Sequence, residues 1–248
     1  MLFRSNLSNH GLSPDLQAMV GEIEAAIETE ILVVVDPERA AHIRPDGRHI
    51  LACKVNQDGA LLLTPSADYF PNGGVFHELL HVKRFLVDGV PQLGDNPASE
   101  HWNLELDEGL HKLDLSLEHF FIVPQELGRY PDRSAHWELS LEHSWQRGVF
   151  ELENERERWA WALVHAVFVR LVFPQSRARR LSDGVIANLG MADVVQRLHQ
   201  AVLPALATKE ELARVCLAHL GAPRDLVVFR YLDSRGRCVR ETPAFLPD

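Results

Sequence analysis

The 248-residue sequence predicts an α+β fold: a small antiparallel sheet early in the chain, a buried helix packed on it, and a mainly helical C-terminal half. Three observations carry this reading. Strand-length runs of apolar and β-branched residues, bounded by turn residues, occur before residue 65 and again over 226–240. From residue 75 onward apolar residues recur at spacings of three and four, the period of a helix with one buried face. No stretch of Pro, Gly and Ser is long enough to act as a linker. The chain therefore reads as a single domain, 1–248, divided into a part over 1–130 and a helical subdomain over 131–248 that closes in a hairpin.

Taken in order, Ser13-Pro14 opens a helix over 13–30, with Leu16, Met19, Val20, Ile23 and Ile27 on one side. Ile31–Val35 is the first strand. Residues 49–55 and 60–64 flank Asn56-Gln57-Asp58-Gly59, and the Asp-Gly pair predicts a hairpin turn. After Pro71-Asn72-Gly73-Gly74 comes a helix over 75–87, stopped by Asp88-Gly89-Val90-Pro91. A second long helix, 102–122, is predicted to end before Pro124 because proline lacks the N–H that the ladder needs. Further helices follow over 151–172, 191–203 and 208–220, the last opened by a capping box of Thr208 with Glu211. Leu226–Tyr231 and Arg237–Arg240 around Asp233-Ser234-Arg235-Gly236 form the closing hairpin.

Composition narrows the function classes. Hydrophobic residues at 46% and charged ones at 24% fit an ordinary globular protein, and the net charge of −10 opposes binding to nucleic acid or to an anionic membrane surface. Arg177-Ala178-Arg179-Arg180 is too short to offset it and reads as a solvated helix end. The first residues lack a signal-peptide apolar stretch and no 18-residue apolar run follows, so a cytoplasmic location is expected. Cys53, Cys216 and Cys238 are odd in number and widely spaced, which predicts reduced thiols.

The chemistry is concentrated in His77-Glu78-Leu79-Leu80-His81. On a helix, residues four apart point the same way, so His77 and His81 can grip one metal ion while Glu78 reaches a water bound to it. Val75, Leu79, Val82 and Leu86 form an apolar stripe on the other side, which lets the helix pack while it aims both imidazoles elsewhere. In the 102–122 helix, Leu106, Leu110, Leu113, Leu117 and Phe121 share one side and Leu104, Leu115 and Ile122 a second. Between them run Asp107, His111, Asp114 and Glu118, a polar stripe expected to be at least partly buried.

Two histidines and a carboxylate from a later helix make the usual catalytic zinc site. On these residues the chain resembles the zincin metallopeptidases and, within them, the gluzincins, whose third ligand is a downstream helical Glu. The metzincin extension is absent, because Val82-Lys83-Arg84-Phe85-Leu86-Val87 follows His81. The sheet ahead of the motif is also similar to that of the ImmA/IrrE-like regulatory proteases, over residues 30 to 122 only. The resemblance implies a zincin-like catalytic part within 1–130, with Zn2+ as cofactor, His77, His81 and Glu118 as ligands, Glu78 as general base, and Asp114 as the carboxylate that orients a ligand imidazole. Asp107, His111, Asp114 and Glu142 stay open for the third position. Glu142 enters because Leu115-Ser116-Leu117-Glu118-His119 recurs as Leu139-Ser140-Leu141-Glu142-His143, which puts His143 in view too. Tyr69, Tyr130 and Tyr231 are possible oxyanion donors, and His101, His136 and His165 have no distinguishing spacing. The implied function is peptide-bond hydrolysis on a cytoplasmic peptide or protein. The alternatives are a zincin-like regulatory binding module without proteolysis and a nonpeptidase metal hydrolase.

Overall fold

The computed structural model describes residues 4–41, 43–44, 46–56, 59–148 and 155–245, and the fold is α+β. The chain divides into two compact units, each assembled from separate stretches. The first contains Met1–Pro91, Gln125–Arg133 and Tyr231–Arg240, and the second Gln92–Pro124, Ser134–Arg230 and Glu241–Asp248.

In the first unit a four-stranded sheet has the order β1-β2-β4-β3, from Arg4–Asn6, Leu32–Val35, Gly59–Thr64 and Ala52–Asn56. It is mixed, not purely antiparallel as the sequence reading had it. β3 and β4 form the expected antiparallel pair, but β2 runs parallel to β4 with Leu32 opposite Leu61. A parallel pair needs a crossover, and the segment carrying α2 (Pro37–Ala41) and β3 supplies it. Gln57 and Asp58 of the predicted hairpin turn lie outside the described residues. Gly59, the residue after them, has φ 111°, and a Cβ there would stand 2.9 Å from Thr29 Cγ2, so the position requires glycine.

Two helices cover this sheet's core. α1 spans Pro14–Ile27, with Pro14 in its first turn and Leu16, Val20, Ile23 and Ile27 buried. α3 spans Asn72–Leu86 and begins three residues ahead of the predicted start. Val75, Leu79, Val82 and Leu86 join Leu16, Val20, Ile23, Ile27, Val33 and Leu62 in one apolar cluster, so the predicted stripe is the face that packs. Phe85 is buried as well, which makes α3 a helix enclosed on several sides.

The second unit is dominated by helices. α4 runs from Leu104 to Arg129 with Pro124 inside it, correcting the predicted stop; its residues up to 124 belong here and 125–129 to the first unit. α5 (Arg133–His143), a π-helical turn (Ser144–Gly148), α6 (Glu155–Val172), α7 (Arg177–Asn188), α8 (Ala192–Ala205) and α9 (Lys209–His219) follow. Of these, α5 and the π-turn have no counterpart in the sequence reading, and α7 was anticipated only as a helix end at Arg177–Arg180. The first four residues of the predicted 151–172 helix lie outside the described residues. The Arg177–Arg180 run opens α7, and Arg179 pairs with Asp183 one turn on. Thr208 Oγ1 accepts the Glu211 N–H at 3.2 Å, the expected cap of α9. β5 (Gln92–Asp95) joins the predicted hairpin strands β6 (Val227–Leu232) and β7 (Cys238–Pro243) in the order β5-β6-β7. Asp233 N–H donates to the Arg237 carbonyl and Gly236 N–H to the Asp233 carbonyl, closing the turn the sequence marked.

At the centre of the second unit is a buried lysine. Lys209, the first residue of α9, is 2% exposed, and its Nζ lies 2.6 Å from Asp114 Oδ1 and 2.8 Å from Glu118 Oε1 on α4. Asp114 Oδ1 also accepts the Leu93 N–H at 2.8 Å, so one ionic cluster ties β5, α4 and α9. Burial raises the Asp114 carboxyl above its ordinary range despite the neighbouring ammonium. Removing one partner of such a cluster strands the others in a low-dielectric interior. Lys209→Met is expected to lower unfolding free energy by about 3–5 kcal/mol in urea titrations at pH 7. Adding Asp114→Asn and Glu118→Gln should recover part of the loss. A decrease below about 1 kcal/mol would contradict the pairing.

Candidate metal centre

The site is built on α3 within the first unit. His77 and His81 lie one turn apart with ring centroids 5.0 Å from each other at 76°, and both are buried. The ring of His81 also stacks on Phe85, 6.2 Å away. The pair is therefore held by packing before any ion arrives.

What orients His77 is a residue that sequence reasoning missed. His77 Nδ1 lies 2.9 Å from Glu126 Oε2, and Glu126 is fully buried. A carboxylate only accepts, so Nδ1 carries the hydrogen and Nε2 is left as the ring's ligating atom. The other carboxylate oxygen, Oε1, accepts from Arg133 Nε at 2.6 Å. Burial works to raise the Glu126 carboxyl, but the hydrogen bond and charge of His77, and after them Arg133, outweigh it and hold the pKa down to about 2. This is the arrangement in which an outer carboxylate fixes a metal-binding imidazole. The sequence had given that role to Asp114, which instead binds Lys209 and the Leu93 N–H.

The surroundings of Glu126 are fixed in turn. Arg133 lies across Gly73 in the first turn of α3, where a Cβ would stand 2.7 Å from Arg133 Cδ. Arg129 donates to Asp15 of α1 through Nε at 3.0 Å and Nη2 at 2.5 Å, and the Tyr130 hydroxyl reaches the same oxygen at 3.3 Å. Phe76 meets Tyr130 edge-on at 5.5 Å. Residues 126–133 are thus clipped to both α1 and α3.

Glu78 points at the sheet. Its Oε2 accepts the Cys53 N–H of β3 at 2.8 Å. Burial pushes its carboxyl above the ordinary range, opposed by His77 and by the Cys53 N–H. The Arg44 guanidinium is also within electrostatic reach of Glu78, Glu126 and Arg133, and burial lowers its pKa.

The other sequence candidates are placed plainly. Glu118 is buried on Lys209, Asp107 is half-buried, His111 is exposed, and Glu142 pairs with Arg177 at 3.5 Å. His143 is exposed. The expected second apolar strip of α4 is only partly buried, since Leu104 and Leu115 are exposed while Ile122 is enclosed; the Leu106 side chain lies outside those described. Tyr69 donates to the His49 carbonyl, Tyr130 to Asp15, and Tyr231 lies beneath Arg240 at 3.7 Å. All three tyrosines have structural contacts. His101 is exposed beside Glu100, His136 is buried against Trp137, and His165 stacks on Trp161. Glu126 was legible in one respect: apolar spacing continues across Pro124 through Phe120, Val123 and Leu127, so the helix had reason to go on.

In chemical terms the site offers two neutral-capable imidazoles and a carboxylate behind one of them, a donor set suited to zinc. A carboxyl with a depressed folded pKa contributes stability above its unfolded pKa and loses it as pH falls through the folded one. Glu126→Gln is therefore expected to be less stable than wild type at pH 7, by about 3 kcal/mol. The gap should close as pH falls from the ordinary glutamate value of 4.5 towards about 2. Thermal unfolding across pH checks this, and a gap independent of pH would contradict it.

Compared with models of known protein families, with characterised proteins and with solved structures, the chain matches none.

Proposed function

We propose that this chain is a zinc-dependent hydrolase of the zincin type, acting as a metallopeptidase on a cytoplasmic peptide or protein. The observation that carries the reading is the buried bond between His77 Nδ1 and Glu126 Oε2, because it sets the tautomer that leaves Nε2 as the ring nitrogen with a lone pair for a metal. His81, one turn on, gives the second imidazole.

A catalytic zinc takes one further protein ligand beside two imidazoles and keeps a position for water. Glu118, the ligand expected from the sequence, is held by Lys209 instead and is not our choice.

Zinc, when bound, supplies Lewis acidity that polarises a carbonyl and brings the pKa of water to about 7. The chain's own residues do the rest. Glu78 is anchored through Oε2 on β3, leaving Oε1 to take a proton from the attacking water and pass it to the leaving amine. Glu126 and Arg133 keep His77 in one tautomer throughout.

One observation favours a second reading, a partner-binding module without turnover: the Glu78 carboxylate already satisfies a backbone N–H of β3, a structural role. The two readings separate experimentally. His77→Ala and His81→Ala should each lose most bound zinc, Glu126→Gln should weaken zinc affinity about 10- to 100-fold, and Glu118→Gln should leave it unchanged. Glu78→Gln should keep zinc and lower peptide turnover by about 10² to 10⁴ in a proteome-wide cleavage assay with added zinc. Zinc retention with no cleavage difference between wild type and Glu78→Gln would favour the binding module. Zinc retained by both His77→Ala and His81→Ala would remove the metal centre altogether.

A further inference from the structure

A separate feature lies wholly within the second unit. A pocket of about 390 Å³ opens between α4, α6 and α9, within the size range of small-molecule sites. Its walls are apolar, with Leu110 and Leu113 from α4, Trp161 and Val164 from α6, and Leu217 and Leu220 from α9. Trp161 is a fixed wall, because it contacts Trp145 at 4.9 Å on one side and lies flat on His165 at 4.1 Å on the other.

The few polar groups define the ligand. His165 Nδ1 lies 3.0 Å from the Trp161 carbonyl, and burial pushes the imidazole pKa down to about 4, so the ring is neutral at physiological pH. Facing a carbonyl, Nδ1 must carry the hydrogen, which makes Nε2 an acceptor. His219, also on the lining, repeats this with Nδ1 2.9 Å from the Val215 carbonyl. Among the described residues no carboxylate lines the pocket, so nothing there matches a cation, and the lining ammonium, Lys112, belongs to an exposed side chain.

We propose that this pocket binds an uncharged, largely apolar small molecule of one or two rings that donates a hydroxyl hydrogen bond to His165. The inference is independent of the metal centre, since every lining residue belongs to the second unit. An apolar body gains from leaving water against the indoles and leucines, while the acceptor on His165 selects for a hydroxyl.

The test uses 1-naphthol, with naphthalene as the probe lacking a donor, in isothermal titration calorimetry on the full chain at pH 7. The expected result is saturable one-site binding of 1-naphthol, about 3- to 10-fold tighter than naphthalene. His165→Phe keeps a flat ring against Trp161 but offers no acceptor, so it should abolish that preference and leave naphthalene affinity unchanged. Ala160→Phe and Val194→Phe, at half-exposed lining positions, should each weaken both probes about tenfold or more by filling the space, with an unchanged unfolding midpoint. These two variants keep the test decisive if His165→Phe does not fold. The proposal is overturned by absence of saturable 1-naphthol binding below about 1 mM, by affinity unchanged in both filling variants, or by a preference for 1-naphthol that survives in a folded His165→Phe protein.

Discussion

The first unit turns on one buried hydrogen bond, from His77 Nδ1 to Glu126 Oε2. A carboxylate without water costs several kcal/mol unless its lone pairs are used, and here an imidazole takes one oxygen and a guanidinium the other. The demands pass outward from there. Arg133 needs the room that Gly73 leaves, and the segment carrying both Glu126 and Arg133 is held by Asp15 through Arg129 and Tyr130. An imidazole on α3 is thus fixed by contacts drawn from α1, α3 and the end of α4. The His77 ring is oriented by protein contacts alone.

The fold and the site were legible in different ways. Burial of Val75, Leu79, Val82 and Leu86 followed from their spacing, because a helix against a sheet has one dry face and the sequence repeats with that period. The HExxH histidines are legible for the same reason, since four residues make one turn. The parallel pairing of β2 with β4 could not be read from strand composition, because short apolar strands look alike in either direction and the crossover through α2 and β3 is a matter of topology. Pro124 misled in a definite way. A proline removes one hydrogen bond and costs about 3 kcal/mol in a helix interior, yet α4 passes through it with Ile122, Val123 and Glu126 all buried around it. Tertiary burial outweighed the local penalty, and with the helix predicted to stop at 122, Glu126 had no place in the site.

Glu118 and Glu126 show how the same residue type, two turns apart, serves two ends. Both are fully buried carboxylates on α4, and either could ligate a metal on composition alone. What separates them is partner chemistry. Glu118 meets the ammonium of Lys209, a compact charge that closes an ionic cluster with Asp114, while Glu126 meets an imidazole and a guanidinium, which puts the hydrogen of His77 on Nδ1. The polar stripe signals burial correctly for Asp114 and Glu118 but not for His111, and it carries no information on which cation will be opposite.

The central claim, that α3 presents His77 Nε2 and His81 to a metal with Glu126 behind His77, is tested most directly by crystallography of the zinc-loaded protein with anomalous data at the zinc edge. The account predicts a single zinc with His77 Nε2 and a His81 ring nitrogen at about 2.0–2.1 Å, and with Glu126 still accepting from His77 Nδ1. A zinc peak away from α3, or zinc bound through His77 Nδ1 with Glu126 displaced, would contradict it.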